Sequence, residues 1–425
     1  MISTTQLADH DVEDLLIIED LRVHFPVKIP FVQRVLSREK LVVHAVDGVS
    51  FSLKPGEILG LVGESGCGKT TVGRAAVRLL DPTTGRITFE GVDITHLGQG
   101  KLRPLRRRMQ IIFQDPHASL NPAMTIGRAI GHPLQIHKIE RNEEAIRRRV
   151  LETMREVGLT PSEQIYDKYP GDLSGGQKQR AVIARAMILE PKLLVVDEGV
   201  AMLDMSVRAK VLELMLSLKR KYGLAYIFIT HDLATAKFLC DRIAIMYLGR
   251  IVEIGPAATI YSDPKHPYTQ ALIQVIPIPD PDKRRKKTLP RGEVPDSIHP
   301  PGGCRFHPRC QSVLATCGWE GRDFLELLEQ YLSQVTKAGD DSNTLGPIEE
   351  WSASGLIARR SGTPENLPRL VGEVKRIISK APSALAQAVD SVTSQRDWVI
   401  VQFRNPEELK QTSIDDRMVE CLLYQ

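Results

Sequence analysis

Two rhythms of apolar and polar positions run along this chain. Leu59 to Val62, Met109 to Phe113, Leu193 to Val196 and Ala225 to Thr230 are short, nearly unbroken apolar runs. Strands covered on both faces of a parallel sheet read this way, because neither face needs polar residues. Between them the spacing turns helical. A helix is expected from near Thr70 to about Leu80, another from Leu173 to about Leu189, stopped by Pro191, and another over Ala209 to Tyr222. Asp115 to about Asp172 is helical in pattern, with Glu143 to Val157 the clearest stretch, and forms a helical insert between strands. Leu15 to His24 and His44 to Leu53 read as strands, the second closed by the turn Lys54-Pro55-Gly56-Glu57, with a loop expected over Phe25 to Lys40. Arg86 to Phe89 is a strand after the turn Asp81 to Gly85, and Arg242 to Tyr247 with Arg250 to Ile254 form a closing hairpin. Strands alternating with helices predict an α/β domain built on a mostly parallel sheet. Ligand groups then belong at the C-terminal ends of its strands.

Beyond about Ser262 the pattern changes. Pro277 to Pro301 is rich in proline and carries Lys283-Arg284-Arg285-Lys286-Lys287, a solvated linker with lipid contact as the minor alternative. Phe324 to Val335 and Leu367 to Ile378 show helical stripes, and Trp398 to Phe403 reads as a strand. Bulk properties narrow the picture only a little. A chain of 425 residues has room for two or three domains, and a formal net charge of +4 argues for neither nucleic acid nor a membrane surface as partner. No apolar run approaches the roughly 20 residues needed to span a bilayer. Met1 to Glu13 is polar and acidic, unlike a signal peptide, and six cysteines suit a reducing compartment, so a cytosolic location is expected.

The chemistry concentrates in a few places. Gly63-Glu64-Ser65-Gly66-Cys67-Gly68-Lys69-Thr70-Thr71 follows an apolar strand and opens a helix, the G-x-x-x-x-G-K-T phosphate loop. Its glycines let successive N–H groups turn inward on a polyphosphate, and the helix N-terminus adds partial positive charge. Lys69 reaches the β- and γ-phosphates, and the Thr70 hydroxyl sits on Mg²⁺. Gln114 ends one strand, Asp197-Glu198 end another, and His231 follows a third. Leu173-Ser174-Gly175-Gly176-Gln177 stands at a second helix N-terminus, another anion site. Phe25, at a strand end, either stacks on a nucleotide base or packs on the sheet.

In this order, the phosphate loop, Gln114, LSGGQ, Asp197-Glu198 and His231 resemble the ATP-binding-cassette ATPases, over roughly residues 15 to 320. The resemblance implies ATP and Mg²⁺ as ligands, with Asp197 holding the ion's water shell beside Thr70 and Glu198 polarising the attacking water. It implies that Gln114 touches the ion or the water, and that His231 contacts the γ-phosphate. It also implies that two cassettes, identical or different, pair head to tail so that each LSGGQ closes over the other's ATP. Where family members read Asp-Glu-Pro-x-Ser-Ala-Leu-Asp, residues 197–204 here read Asp-Glu-Gly-Val-Ala-Met-Leu-Asp. Gly199 and Ala201 depart from that pattern, Asp204 at the dimer seam is retained, and hydrolysis is expected.

Residues 113–122, His266 to Leu272, and Pro300 to Cys310 resemble the oligopeptide, dipeptide and nickel importers, whose ATPase subunits energise two membrane permease subunits fed by a solute-binding protein. That implies a peripheral position on the cytoplasmic face of the membrane. The subfamily's tail carries a fourth cysteine in a pattern matched here by Val419 to Tyr424, so residues 322–415 are expected to be an inserted small α/β module. The expected domains are therefore 15–262, 263–321, 322–415 and 416–425. Some relatives hold a [4Fe–4S] cluster on such cysteines. Cys304, Cys310, Cys317 and Cys421 could hold one, or zinc, or remain free thiols. The rival readings are a non-transport cassette ATPase and a regulatory subunit with weak turnover.

Overall fold

The computed structural model describes residues 14–27, 41–200, 203–276, 290, 292–337 and 345–425. The Lys283 to Lys287 run, Ala201 and Met1 to Glu13 lie outside the described residues, as does most of the loop expected after Phe25. The chain divides into two units, Met1–Asp263 and Pro264–Gln425.

In the first unit, strands β1 (Leu16–Pro26), β2 (Val42–Leu53), β4 (Thr84–Phe89) and β5 (Val92–Asp93) form an antiparallel sheet in the order β2-β1-β4-β5. A second sheet runs in the order β10-β9-β3-β8-β7-β6, from β3 (Ile58–Val62), β6 (Met109–Ile112), β7 (Leu193–Asp197), β8 (Ala225–Thr230), β9 (Arg242–Tyr247) and β10 (Arg250–Pro256). Neighbours from β9 through β6 are parallel, and β10 returns antiparallel along β9. Every residue of β3, β7 and β8 is buried, so their backbones are satisfied by the ladder and their side chains by packing.

Helices Ile126–Ile136, Glu143–Glu156, Ser162–Tyr166 and Gly175–Met187 pack together as the expected helical block. Gly127 makes the close approach possible: a Cβ there would lie 2.4 Å from the Tyr166 ring.

Three boundaries differ from the sequence reading, each for a local reason. The helix after the phosphate loop is Lys69–Ala76, not extending to Leu80, because Arg78 takes the left-handed region at φ 55° and its guanidinium donates to the Ile94 carbonyl at 2.8 Å. Phe25 lies within β1 instead of opening a loop, paired with Val43 on β2. The helix expected from Ala209 starts at Met205, because the Asp204 side chain accepts from the Val207 N–H at 3.0 Å and caps it.

In the second unit, helix Pro267–Val275 precedes an irregular stretch holding Cys304, Cys310 and Cys317. A four-stranded antiparallel sheet follows in the order β11-β12-β14-β13, from β11 (Trp351–Ser354), β12 (Ile357–Ser361), β13 (Val389–Gln395) and β14 (Trp398–Phe403). Helices Gly321–Lys337 and Leu367–Lys380 cover one face, and Phe324, Leu328, Leu370, Val374, Val399 and Val401 build a core between helices and sheet. A short hairpin of β15 (Thr412–Ile414) and β16 (Arg417–Val419) leads to Cys421.

Phe324 is fully buried in that core and touches the Trp351 ring at 5.4 Å between centroids. Phe324→Ala should destabilise the second unit by about 3–5 kcal/mol. Urea unfolding of the full chain followed by tryptophan fluorescence should show an earlier transition, while the first unit, which shares none of this core, keeps its ATP affinity.

Candidate functional site

The phosphate loop leaves β3 at Gly63 and re-enters structure at Lys69. Two of its glycines are fixed by space and backbone. A Cβ on Gly63 would lie 2.2 Å from the Met246 carbonyl oxygen, and Gly68 has φ 101° with the Ala45 carbonyl oxygen 2.1 Å from where a Cβ would sit. The buried Lys69 ammonium donates to the Gly63 carbonyl at 2.8 Å and the Glu64 carbonyl at 2.9 Å. It therefore lies folded back over the loop. Ser65 and Gly66 are exposed at the tip, and Thr71 follows within the helix. Cys67 packs beneath, its thiol pushed up by burial, with Lys69 opposing the shift.

Four strand ends converge beside this loop. The Thr70 hydroxyl donates to Asp197 Oδ1 at 2.7 Å. Burial raises the Asp197 carboxyl above its usual range, and the Thr70 hydrogen bond partly offsets it. Glu198 has both carboxylate oxygens engaged: Gln114 Nε2 donates to Oε2 at 2.9 Å, and His231 Nδ1 lies 3.1 Å from Oε1. Glu198 sits at φ 48°, the left-handed region, with its N–H donating to the Ile229 carbonyl at 3.0 Å. Gly199 follows it, and a Cβ there would come within 3.0 Å of Val196 Cγ1 and 3.2 Å of Ile112 Cγ2. Six side chains predicted from sequence (Lys69, Thr70, Gln114, Asp197, Glu198 and His231) thus lie on or beside this one edge of the sheet.

LSGGQ stands apart from that bonded set. Ser174 is the N-cap of Gly175–Met187: its Oγ accepts from the Gln177 N–H at 3.3 Å, and Gln177 Oε1 accepts from the Ser174 N–H at 3.0 Å. This is a reciprocal cap, legible in the sequence as Ser-x-x-Gln. Leu173 is buried, and Gly176 faces Val207, whose Cγ1 would be 2.7 Å from a Cβ. Hydrogen bonds from Val207 and Ser206 hold the exposed Asp204 carboxyl below the usual range. Phe25 remains 39% exposed, so its ring face can take a stacking partner.

One contact had no signal in the sequence. Lys178 Nζ lies 3.2 Å from His117 Nδ1, tying the start of the LSGGQ helix to the segment after Gln114. In the helical block, Met124, Arg128, His132, Glu143 and Tyr166 line a cavity of about 570 Å³.

The second unit gathers cysteines. Cys304, Cys317 and Cys421 are buried and Cys310 partly so, and the Cys304 N–H donates to the Cys317 carbonyl at 2.8 Å. Burial drives the Cys304 thiol far up, with smaller raising contributions from Cys317, Cys421 and Cys310. Cys310 is pushed up to about 12, again mainly by burial.

Residues 46–201 match the ABC transporter family model, and residues 252–317 match the oligopeptide/dipeptide transporter C-terminal region. The oligopeptide transport ATP-binding protein OppF of Escherichia coli is 46% identical over 305 residues, 71% of this chain and 90% of that protein. The chain belongs to the ABC transporter ATPase family. A probable peptide ABC transporter ATP-binding protein of Sinorhizobium fredii is 45% identical over 308 residues, covering 71% of this chain and 84% of its own length. Among solved structures, a post-hydrolysis dimer of an ATP-binding cassette with ADP and Pi aligns at TM-score 0.50 and 26% identity, over 57% of this chain and 98% of that one. This ABC ATPase is accordingly an ATP-binding, ATP-hydrolysing chain. No helix among its described residues is long and apolar enough to cross a membrane.

The Ser174 cap is the most local determinant of the signature helix. Ser174→Ala should cost about 0.5–2 kcal/mol and release the first turn. Hydrogen exchange at residues 175–178 should speed up selectively, with protection of β7 and β8 unchanged.

Proposed function

We propose that this chain is the ATP-hydrolysing subunit of an importer of peptides or similar small solutes, working at the cytoplasmic face of the membrane. The observation that carries the hydrolytic reading is Glu198, a carboxylate held between Gln114 and His231 at the end of a buried strand beside the phosphate loop. The importer reading rests on the C-terminal match and on relatives named for peptide transport. Two membrane permease subunits would carry the solute, delivered by a solute-binding protein outside, with no nucleic acid involved. The cavity between Met124 and Tyr166 offers the permease a recess on the helical block.

The residues divide the work. When ATP enters, Lys69 exchanges the Gly63 and Glu64 carbonyls for phosphate oxygens, and the N–H groups of residues 63–71 cradle the rest. Thr70, Asp197 and Gln114 have the hard oxygen donors suited to Mg²⁺, which when bound neutralises charge between the β- and γ-phosphates. Glu198 orients and polarises the attacking water, and His231 donates toward the γ-phosphate while fixing that water. Phe25 stacks on the base. The donors of Leu173 to Gln177, with Asp204 at the seam, act on the nucleotide of a second cassette, so the working unit is a homo- or heterodimer. The domain division follows as 15–262 for the ATPase, 263–321 and 416–425 for the C-terminal extension, and 322–415 for an inserted module.

For the four cysteines we propose a thiolate-bound centre. Cys304, Cys317 and Cys421 are buried and Cys310 partly so, and a bound cation would stabilise the thiolates that burial disfavours. Cys304, Cys310, Cys317 and Cys421 would hold a [4Fe–4S] cluster there, supplying either a structural clasp or one-electron chemistry.

Glu198→Gln should retain ATP binding while lowering steady-state turnover at least about 100-fold. A phosphate-release assay on the purified chain checks this; wild-type turnover in the variant would overturn the role of Glu198. Anaerobic purification should yield iron and acid-labile sulfide in equal amounts, about four of each per chain, with both largely lost in Cys421→Ser. Metal analysis with visible absorbance reads the result, and a wild-type chain free of iron after anaerobic reconstitution would remove the cluster.

A further inference from the structure

We propose that His24, His44 and Asp47 form a binding site for a first-row transition ion of the Zn²⁺ class, joining β1 to β2. Each residue offers one donor atom, and the three donors lie within 4.8 Å of one another. The strand pairing puts them there: His24 stands directly opposite His44 across the β1/β2 ladder. A register shift between Val23 and His24 re-aims the ring, as bulged ladders do. The imidazoles come to 4.4 Å between centroids, tilted at 57°. His24 Nε2 lies 3.2 Å from Asp47 Oδ1, and His44 Nδ1 lies 3.8 Å from Asp47 Oδ2.

Those separations match the chemistry. Zinc–nitrogen and zinc–oxygen bonds near 2 Å in a tetrahedron hold their ligand atoms roughly 3.3 Å apart. The His24–Asp47 pair already stands at that spacing, and the other donor pairs, all within 4.8 Å, need to close by at most about 1.5 Å. Two imidazoles and one carboxylate suit Zn²⁺, Co²⁺ or Ni²⁺ and disfavour Mg²⁺ and Ca²⁺, which take oxygen ligands. The three side chains are 20%, 31% and 13% exposed, which leaves room for an ion to enter and for water as a fourth ligand.

Arg22 is the competing cation, with its guanidinium 3.4 Å from Asp47 Oδ1. It also pairs with Asp20 at 3.2 Å, on the solvent side, and so keeps a carboxylate partner when the ion takes Asp47. Both rings sit on the strands that flank residues 28–40, and His24 directly precedes Phe25. An ion here therefore pins together the two strand ends on either side of that segment. It is separate from the Mg²⁺ ligands and from the cysteines, none of which belongs to this strand pair.

Cobalt titration distinguishes this site from the thiols, because thiolate ligands add intense near-ultraviolet charge-transfer absorption that nitrogen and oxygen ligands lack. The full chain, alkylated at its accessible thiols, should bind one Co²⁺ with visible d–d bands and no thiolate band, displaceable by Zn²⁺. Affinity should fall at least tenfold in His44→Gln and in His24→Gln, and remain unchanged in Cys421→Ser. Circular dichroism and ATP binding verify that each variant is folded, and the two histidines provide independent tests if one variant fails. Retention of the nitrogen–oxygen spectrum in both folded histidine variants would overturn the proposal. So would its loss in Cys421→Ser, or the absence of any saturable binding to the wild-type chain.

Discussion

A carboxylate with both oxygens already engaged organises the nucleotide half of this molecule. Glu198 accepts from Gln114 on one side and meets His231 on the other, so three strand ends are locked into one polar cluster before any ligand arrives. The strands that deliver these groups have no room for polarity along their length, and their chemistry has to appear where they end. Lys69, meanwhile, is satisfied by carbonyls of its own loop. Both ends of the site, Lys69 and Glu198, are thus paired within the protein. Gln114 also begins the segment joined through His117 to the LSGGQ helix.

The backbone at this point is unusual. Glu198 occupies the left-handed region without being glycine, and Gly199 follows where the family pattern places proline. Proline would restrict the conformation of the residue before it, and glycine removes that restriction. Glycine here leaves Glu198 free of the restriction that a following proline would impose. The surrounding packing limits how far that freedom extends, since even a Cβ on Gly199 would meet Val196 and Ile112.

How much of this was written locally differs from one region to another. The phosphate loop and LSGGQ announce themselves because glycine spacing and a Ser-x-x-Gln cap are local chemistry. The pairing of Glu198 with Gln114, 84 residues away, follows only from the order of strands in the sheet. The helix ends depart from the apolar pattern where one side chain decides them, as Arg78 and Asp204 do. In the second unit, Trp398 to Phe403 stands out as a strand, whereas β11, β12 and β13 do not. Their exposed positions mix serine, threonine and arginine with Ala353, Ile357 and Asp390, and four to seven residues are too few to declare a period. The helices over them were legible because their apolar stripes are long.

The proposed grouping of Cys421 with Cys304, Cys310 and Cys317 would have a consequence for the order in which the protein is made. Cys421 is translated 104 residues after Cys317 (421 − 317), with the β11–β14 sheet and its helices between them. At the usual pace of synthesis that interval lasts roughly 5–20 seconds. In the proposed centre, the fourth ligand would therefore reach the other three only after the β11–β14 sheet and its helices had been translated.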